Sequence, residues 1–177
     1  IEDGTALDLT RFRRWYSQAG TPRVGVTLEH EGETARLTLT QTVPTTPGQS
    51  EKQPMPIPLK LALFDRASGT HRGEELVILD EDRAEVTFDG FTEKPILSIN
   101  RTFSAPVTIE RDVSREELVF LAEKDDDPFA RYEAMQELMT GHLVADVTDD
   151  LDDDAREAAC EDIARAMRSV LEDDQLD

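Results

Sequence analysis

RVGVTLEHEGETARLTLTQT, residues 23–42, is the stretch on which the architecture turns. Val24, Val26 and Leu28 alternate with polar partners, and after a turn at His30 to Glu33 the alternation resumes with Leu37 and Leu39. A period of two sends one face of an extended segment indoors and the other to water, so the stretch predicts two strands joined as a hairpin. The segment that follows, VPTTPGQSEKQPMPIP (43–58), holds five prolines. Each removes an amide donor and fixes φ, so the segment reads as a long connection crossing between sheets. Beyond it Leu59, Leu61 and Leu63 alternate again. ASGTHRG (67–73) is a turn, and LVIL (76–79), AEVTF (84–88), ILSIN (96–100) and VTIE (107–110) supply further short runs. The sum is about seven strands, the number of an immunoglobulin-like or fibronectin-like antiparallel β-sandwich.

Helical signals bracket this region. Upstream, Asp8 or Thr10 is placed to cap a short helix carrying Leu9, Phe12 and Trp15 or Tyr16, with Gly20 as its left-handed stop. Downstream, Ser114 and Glu117 form a capping box, with Val113 positioned to staple against Leu118. Asp127-Pro128 marks a second start, and the run Asp125 to Asp127 suits the positive end of a helix dipole. Phe129, Tyr132, Met135, Met139 and Leu143 then recur at steps of three and four and read as core packing. The segment from Ala155 carries Ala159, Ile163, Met167 and Val170 on one stripe. The fold class is therefore mainly β with C-terminal α: a sandwich followed by two or three helices. Two amphipathic helices cannot cover all this apolar surface, so the helical part reads as the start of a larger array.

Charge excludes several function classes. A net charge of -20 over 177 residues, with 38% apolar residues available for a core, repels nucleic acid and anionic lipid. No nucleic-acid or membrane partner is expected. The single cysteine, Cys160, has no disulfide partner within the chain, which fits a reducing cytoplasm, and IEDGTALDL at the start has neither the basic nor the apolar region of a signal peptide.

Motifs of catalysis are imitated more than present. His30-Glu31 begins an H-E-x-x-H zinc pattern, but the second histidine's position holds Thr34 and the pair lies in a hairpin. His71 and His142 stand far away. Asp150, Asp152, Asp154 and Glu161 occupy places of a calcium loop, yet Ala155 replaces the glycine that makes its sharp turn; calcium sensing stays open as an alternative. Cys160 sits among helix formers beside Glu161, which disfavours the thiolate. No G-x-S-x-G, Walker or dinucleotide loop occurs. No catalytic, cofactor-binding or metal residue is assigned.

Four segments together resemble one family. LTRFRRWYSQAGTP (9–22), TLTQTVPTTPGQSEKQPMPIPLKLALFD (38–65), RTFSAPVTIE (101–110) and DDDPFARYEAMQEL (125–138) are similar, in this order, to the bacterial aminopeptidase N group of gluzincin zinc metallopeptidases. The resemblance implies that residues 1–20 close a catalytic domain, 21–112 form its β-sandwich domain, and 113–177 begin a C-terminal helical domain. It implies a parent enzyme that removes N-terminal residues from peptides with zinc, of which this chain is the non-catalytic linking portion. Partners would then be the catalytic and remaining helical domains of the same parent chain, with peptide as the parent's substrate. The family's zinc ligands and substrate loop have no counterpart here, and neither Tyr16 nor Tyr132 lies where its catalytic tyrosine does. The competing expectation is a free-standing fibronectin-like protein-interaction module.

Overall fold

The structure, a computed structural model, describes residues 9–148 and 152–173. Its described residues fall into two compact units. The first runs to Asn100 and takes in Ser104–Asp112, while the second holds Arg101–Phe103 and the chain from Val113 onward.

In the first unit the decisive stretch folds as the alternation demands. Strands β1 (Arg23–Glu31) and β2 (Thr34–Thr42) pair antiparallel from Arg23↔Thr42 to Glu31↔Thr34. The turn is tighter than the sequence suggested, because Gly32, at φ +63°, supplies the left-handed first position that a two-residue hairpin turn of this kind requires. His30 therefore lies on β1, with its Nε2 2.8 Å from the carbonyl of Phe91. Strands β3 (Ile57–Phe64), β4 (Glu75–Leu79), β5 (Arg83–Asp89), β6 (Ile96–Ile99) and β7 (Thr108–Arg111) complete the set. They make a four-stranded sheet, β5-β2-β1-β7, and a three-stranded sheet, β4-β3-β6. The seven strands in two sheets are those expected. The departure from an antiparallel plan is β7, which runs parallel to β1 from Arg23↔Thr108 to Val26↔Arg111.

The two sheets share a core of Val24, Leu37, Leu39, Ile57, Leu59 and Leu61, all at 0% exposure. Each such side chain contributes about 1.5–3 kcal/mol by leaving water. The proline segment is a connection as predicted, except that Pro58 enters β3 opposite Ile78. It is tolerated because β6 pairs only Leu61–Phe64. On the side of β3 away from β4, the amide of Lys60 turns to Ser104 Oγ at 3.0 Å, so the missing donor at Pro58 breaks no ladder bond. Buried Gln41 seals the connection: its Nε2 donates to the carbonyls of Met55, Leu79 and Glu81 at 2.9–3.2 Å, and its Oε1 accepts from the Met55 amide at 2.9 Å.

Helix α1 is confined to Arg14–Ser17, with Arg13 at its N-cap and no side-chain cap. Turn-type bonds such as Arg13 N–H to Leu9 O (3.0 Å) precede it. Of the two expected caps, Asp8 lies outside the described residues and Thr10 does not cap the helix. So short a helix is held by side chains instead. Trp15 Nε1 donates to Pro56 O at 2.9 Å, and Arg11 bonds Asp80 and Glu81 at 2.9 and 2.6 Å.

The second unit contains α2 (Arg115–Lys124), α3 (Pro128–Val147) and α4 (Asp153–Leu171). The capping box forms as read: Glu117 N–H donates to Ser114 Oγ at 3.2 Å and Ser114 N–H to Glu117 Oε2 at 3.1 Å. Asp127 caps α3 and Asp152 caps α4, each through a 2.8 Å bond from the amide three residues on. The stripe read as the core of α3 is a correction. Ala130, Ala134 and Leu138 are the buried face, whereas Tyr132 and Leu143 are exposed. Arg131 is buried beside them, and sequence periodicity alone does not say which of two apolar faces turns inward.

Candidate functional site

The most organised polar site among the described residues surrounds a left-handed turn. Asn100, Thr102 and Phe103 have φ of +60°, +55° and +52°. Asparagine tolerates that region, but β-branched threonine and bulky phenylalanine do not, at about 1–3 kcal/mol each. Such a backbone persists only where its surroundings fix it.

In the first unit, Asn100 Oδ1 accepts from the Ala105 amide at 2.9 Å and from Ser104 Oγ at 3.2 Å. In the second unit, both carboxylate oxygens of Asp127 accept from the Thr102 amide, at 3.1 and 3.0 Å, while the same residue caps α3. Arg101, whose side chain is 4% exposed, donates from Nη1 to Asp125 Oδ1 at 2.8 Å and from Nη2 to Asp126 Oδ1 at 2.6 Å. Asp125 is fully buried, and its Oδ1 also accepts from the Asp127 amide at 3.0 Å. The rings of Phe103 and Phe129 lie 5.2 Å apart. The three aspartates thus form a clasp: two bind a guanidinium and the third binds a strained backbone and a helix start. Its bound oxygens face donors, so its chemistry is positional. The sequence showed the acidic run and its role at the helix start. It hid the pairing with Arg101, 24 residues earlier, because an arginine after a strand carries no mark of burial.

Of the residues considered for chemistry, His142 and Cys160 come together, while His30 and His71 lie elsewhere in the first unit. His71 Nδ1 accepts from the Gly73 amide at 3.1 Å, with its ring edge-on to Phe64. His142 Nε2 lies 3.4 Å from Cys160 Sγ, the thiol being exposed on α4. Asp152 and Asp154 belong to the start of α4 and Glu161 to its interior, while Asp150 lies outside the described residues. Among the described residues no three His, Cys, Asp or Glu side chains gather to hold a metal ion. The described residues therefore do not fit a zinc site. Nor is any described helix long and apolar enough to cross a membrane.

Fold and site together define a two-part structural module, an Ig-like sandwich continuing into helices. Residues 20–112 match DUF3458, described as a domain of unknown function with an Ig-like fold, and residues 115–177 match its C-terminal companion, described as ARM repeats. The chain belongs to the DUF3458 family. It is 33% identical to aminopeptidase N of Escherichia coli K12 over 186 aligned positions, covering 100% of this chain and 21% of that protein. It is 38% identical to aminopeptidase N of Haemophilus influenzae, covering 81% of this chain and 18% of the relative. The Caulobacter vibrioides aminopeptidase N is 35% identical over 93% of the chain. A crystal structure of Legionella pneumophila aminopeptidase A in complex with aspartic acid has the same fold, at a TM-score of 0.79 and 24% identity over 99% of this chain and 19% of that one. The chain thus spans about a fifth of the length of the relatives it matches.

Proposed function

We infer that this chain is the non-catalytic, linking portion of a longer zinc-dependent aminopeptidase that removes N-terminal residues from peptides in the cytoplasm. Residues 1–20 are the end of its catalytic domain, 21–112 its sandwich domain and 113–177 the start of its helical domain. Zinc and the peptide substrate belong to the rest of the parent, and this chain contributes no catalytic, cofactor-binding or metal residue. One observation carries the reading: aminopeptidase N proteins from three bacteria align with 81–100% of this chain but give it only 18–21% of their own length. The scattered histidines support it, since H-E-x-x-H chemistry needs imidazoles one helical turn apart.

The test is hydrolysis of an aminoacyl chromogenic substrate with zinc supplied. The complete gene product should turn over and the 177-residue chain should not. Sustained zinc-dependent turnover by the pure chain, or none by the complete product, would end the reading.

A further inference from the structure

Two side chains far apart in the chain meet on neighbouring helices. His142 on α3 places Nε2 3.4 Å from the sulfur of Cys160 on α4, and the thiol is exposed. At that separation the imidazole is within reach of the thiol proton. In the sequence Glu161 argues against a reactive sulfur; His142, 18 residues earlier, is the group that spacing does not reveal.

His142 also lines a cavity of about 280 Å³ between α2, α3 and α4. Leu118, Leu138, Ala145 and Ile163 make its lining largely apolar, and its other polar groups are Glu137 and Arg115, the latter already matched by Asp162 at 2.7 Å. The second ring nitrogen of His142, Nδ1, is buried and meets no hydrogen-bond partner among the described residues. A neutral imidazole that receives the thiol proton at Nε2 carries its own proton at Nδ1, so Nδ1 is a buried donor without an acceptor. Buried donors are almost always matched. What would match this one is an oxygen acceptor on an otherwise apolar body, small enough for a cavity of this size.

We propose that Cys160 is a covalent modification site for α,β-unsaturated aldehydes and ketones bearing an aliphatic tail, with His142 as the base and the cavity as the seat of the tail. The sulfur attacks the β-carbon and forms the S–C bond as its proton passes to Nε2. The π pair of the C=C bond moves to the carbonyl oxygen, which accepts from Nδ1–H. The proton on Nε2 then goes to the α-carbon. Nothing leaves, and no oxidant or reductant is consumed. Small polar disulfides fit less well, because an apolar lining does not repay the desolvation of their charged groups. The inference is independent of the aminopeptidase reading.

The experiment exposes the complete gene product and the 177-residue chain to trans-2-octenal, or to acrolein, which lacks the tail. The adduct on the Cys160 peptide is followed by mass spectrometry at a temperature where circular dichroism shows the helices intact, with N-acetylcysteine as the reference thiol. Cys160 should outpace N-acetylcysteine toward octenal by about a hundredfold or more. That advantage should exceed the advantage toward acrolein by about tenfold, the worth of roughly two buried methylenes. His142→Gln should remove about tenfold or more of the advantage toward both aldehydes. Gly141→Leu fills the cavity, and a Cβ at that position meets no atom within 4 Å. It should erase the preference for octenal and leave the acrolein rate unchanged. A Cys160 no faster than N-acetylcysteine in either protein, a rate that His142→Gln leaves unchanged, or an octenal preference that survives Gly141→Leu each overturns the proposal.

Discussion

Replacing Arg101 by methionine tests the clasp most directly. The substitution keeps much of the side chain's length and apolar stem but removes the guanidinium that donates to buried Asp125 at 2.8 Å and to Asp126 at 2.6 Å. Deleting one member of a buried pair leaves the other charged and unpaired, at about 3–5 kcal/mol. The contact to Asp126, 61% exposed, adds about 0–1 kcal/mol because water already solvates that carboxylate. With a urea slope near 2 kcal/mol/M, a loss of about 4 kcal/mol lowers the midpoint by about 2 M. Two probes separate the units. Circular dichroism at 222 nm follows the helices, and the single tryptophan, Trp15, sits in the first unit with its indole on Pro56 O. The helical transition should move. Adding Asp125→Asn should then recover about half the loss or more, because the amide oxygen can still accept from Asp127 N–H while the stranded charge is gone. An Arg101→Met midpoint within about 0.3 M of the parent, or a double variant no better than the single, would refute the reasoning.

Three further outcomes follow from the first unit. Gln41→Leu strands the backbone groups of Met55, Leu79 and Glu81; it should cost about 3 kcal/mol or more and lower the tryptophan-monitored Tm by about 12 °C or more. In Gly25→Ala the new Cβ would stand 2.6 Å from Thr40 Oγ1, so a loss of about 1–3 kcal/mol is expected, and Thr40→Ala in the same chain should restore most of it by urea titration. The third concerns pH. Ser68 N–H, 2.8 Å from Asp65 Oδ1, is the main cause holding the Asp65 carboxyl below its ordinary value of 3.8. A depressed folded pKa means stability present above the unfolded value and lost as pH falls through the folded one. Asp65→Asn should therefore be less stable than the parent at neutral pH, and the gap should close in acid below about 3.8; a pH-independent gap in the urea midpoints would contradict this.

The sandwich was legible because its signal is local. Val24, Val26, Leu37 and Leu39 alternate on facing strands, and all four are buried as that alternation requires. The helix starts were legible for the same reason, since Ser114 with Glu117 and Asp127 with Pro128 act within one turn. What stayed hidden depends on distant partners. The parallel pairing of β7 with β1 cannot be read from either strand, and Arg101 reveals nothing of Asp125 until the chain brings them together. Helix α3 misled for a different reason: periodicity shows which residues share a face, and its bulky face and its alanine face compete for the same interior. Candidate chemistry was legible mostly as mismatch, with Thr34 and Ala155 standing where a second histidine and a glycine would be needed.

The parallel contact between β1 and β7 has a kinetic price for a nascent polypeptide. Arg23 and Thr108 meet across 85 residues, a loop whose closure costs about 4 kcal/mol in chain entropy before its contacts repay it. At ribosomal speeds of about 5–20 residues per second, the first hairpin is complete about 3–14 s before its last neighbour has been made. Through that interval one margin of β1 is an open template for any passing strand. Glu29 and Glu31 near its far end, in a polypeptide of net charge -20, repel other copies of the same unfinished molecule while it waits.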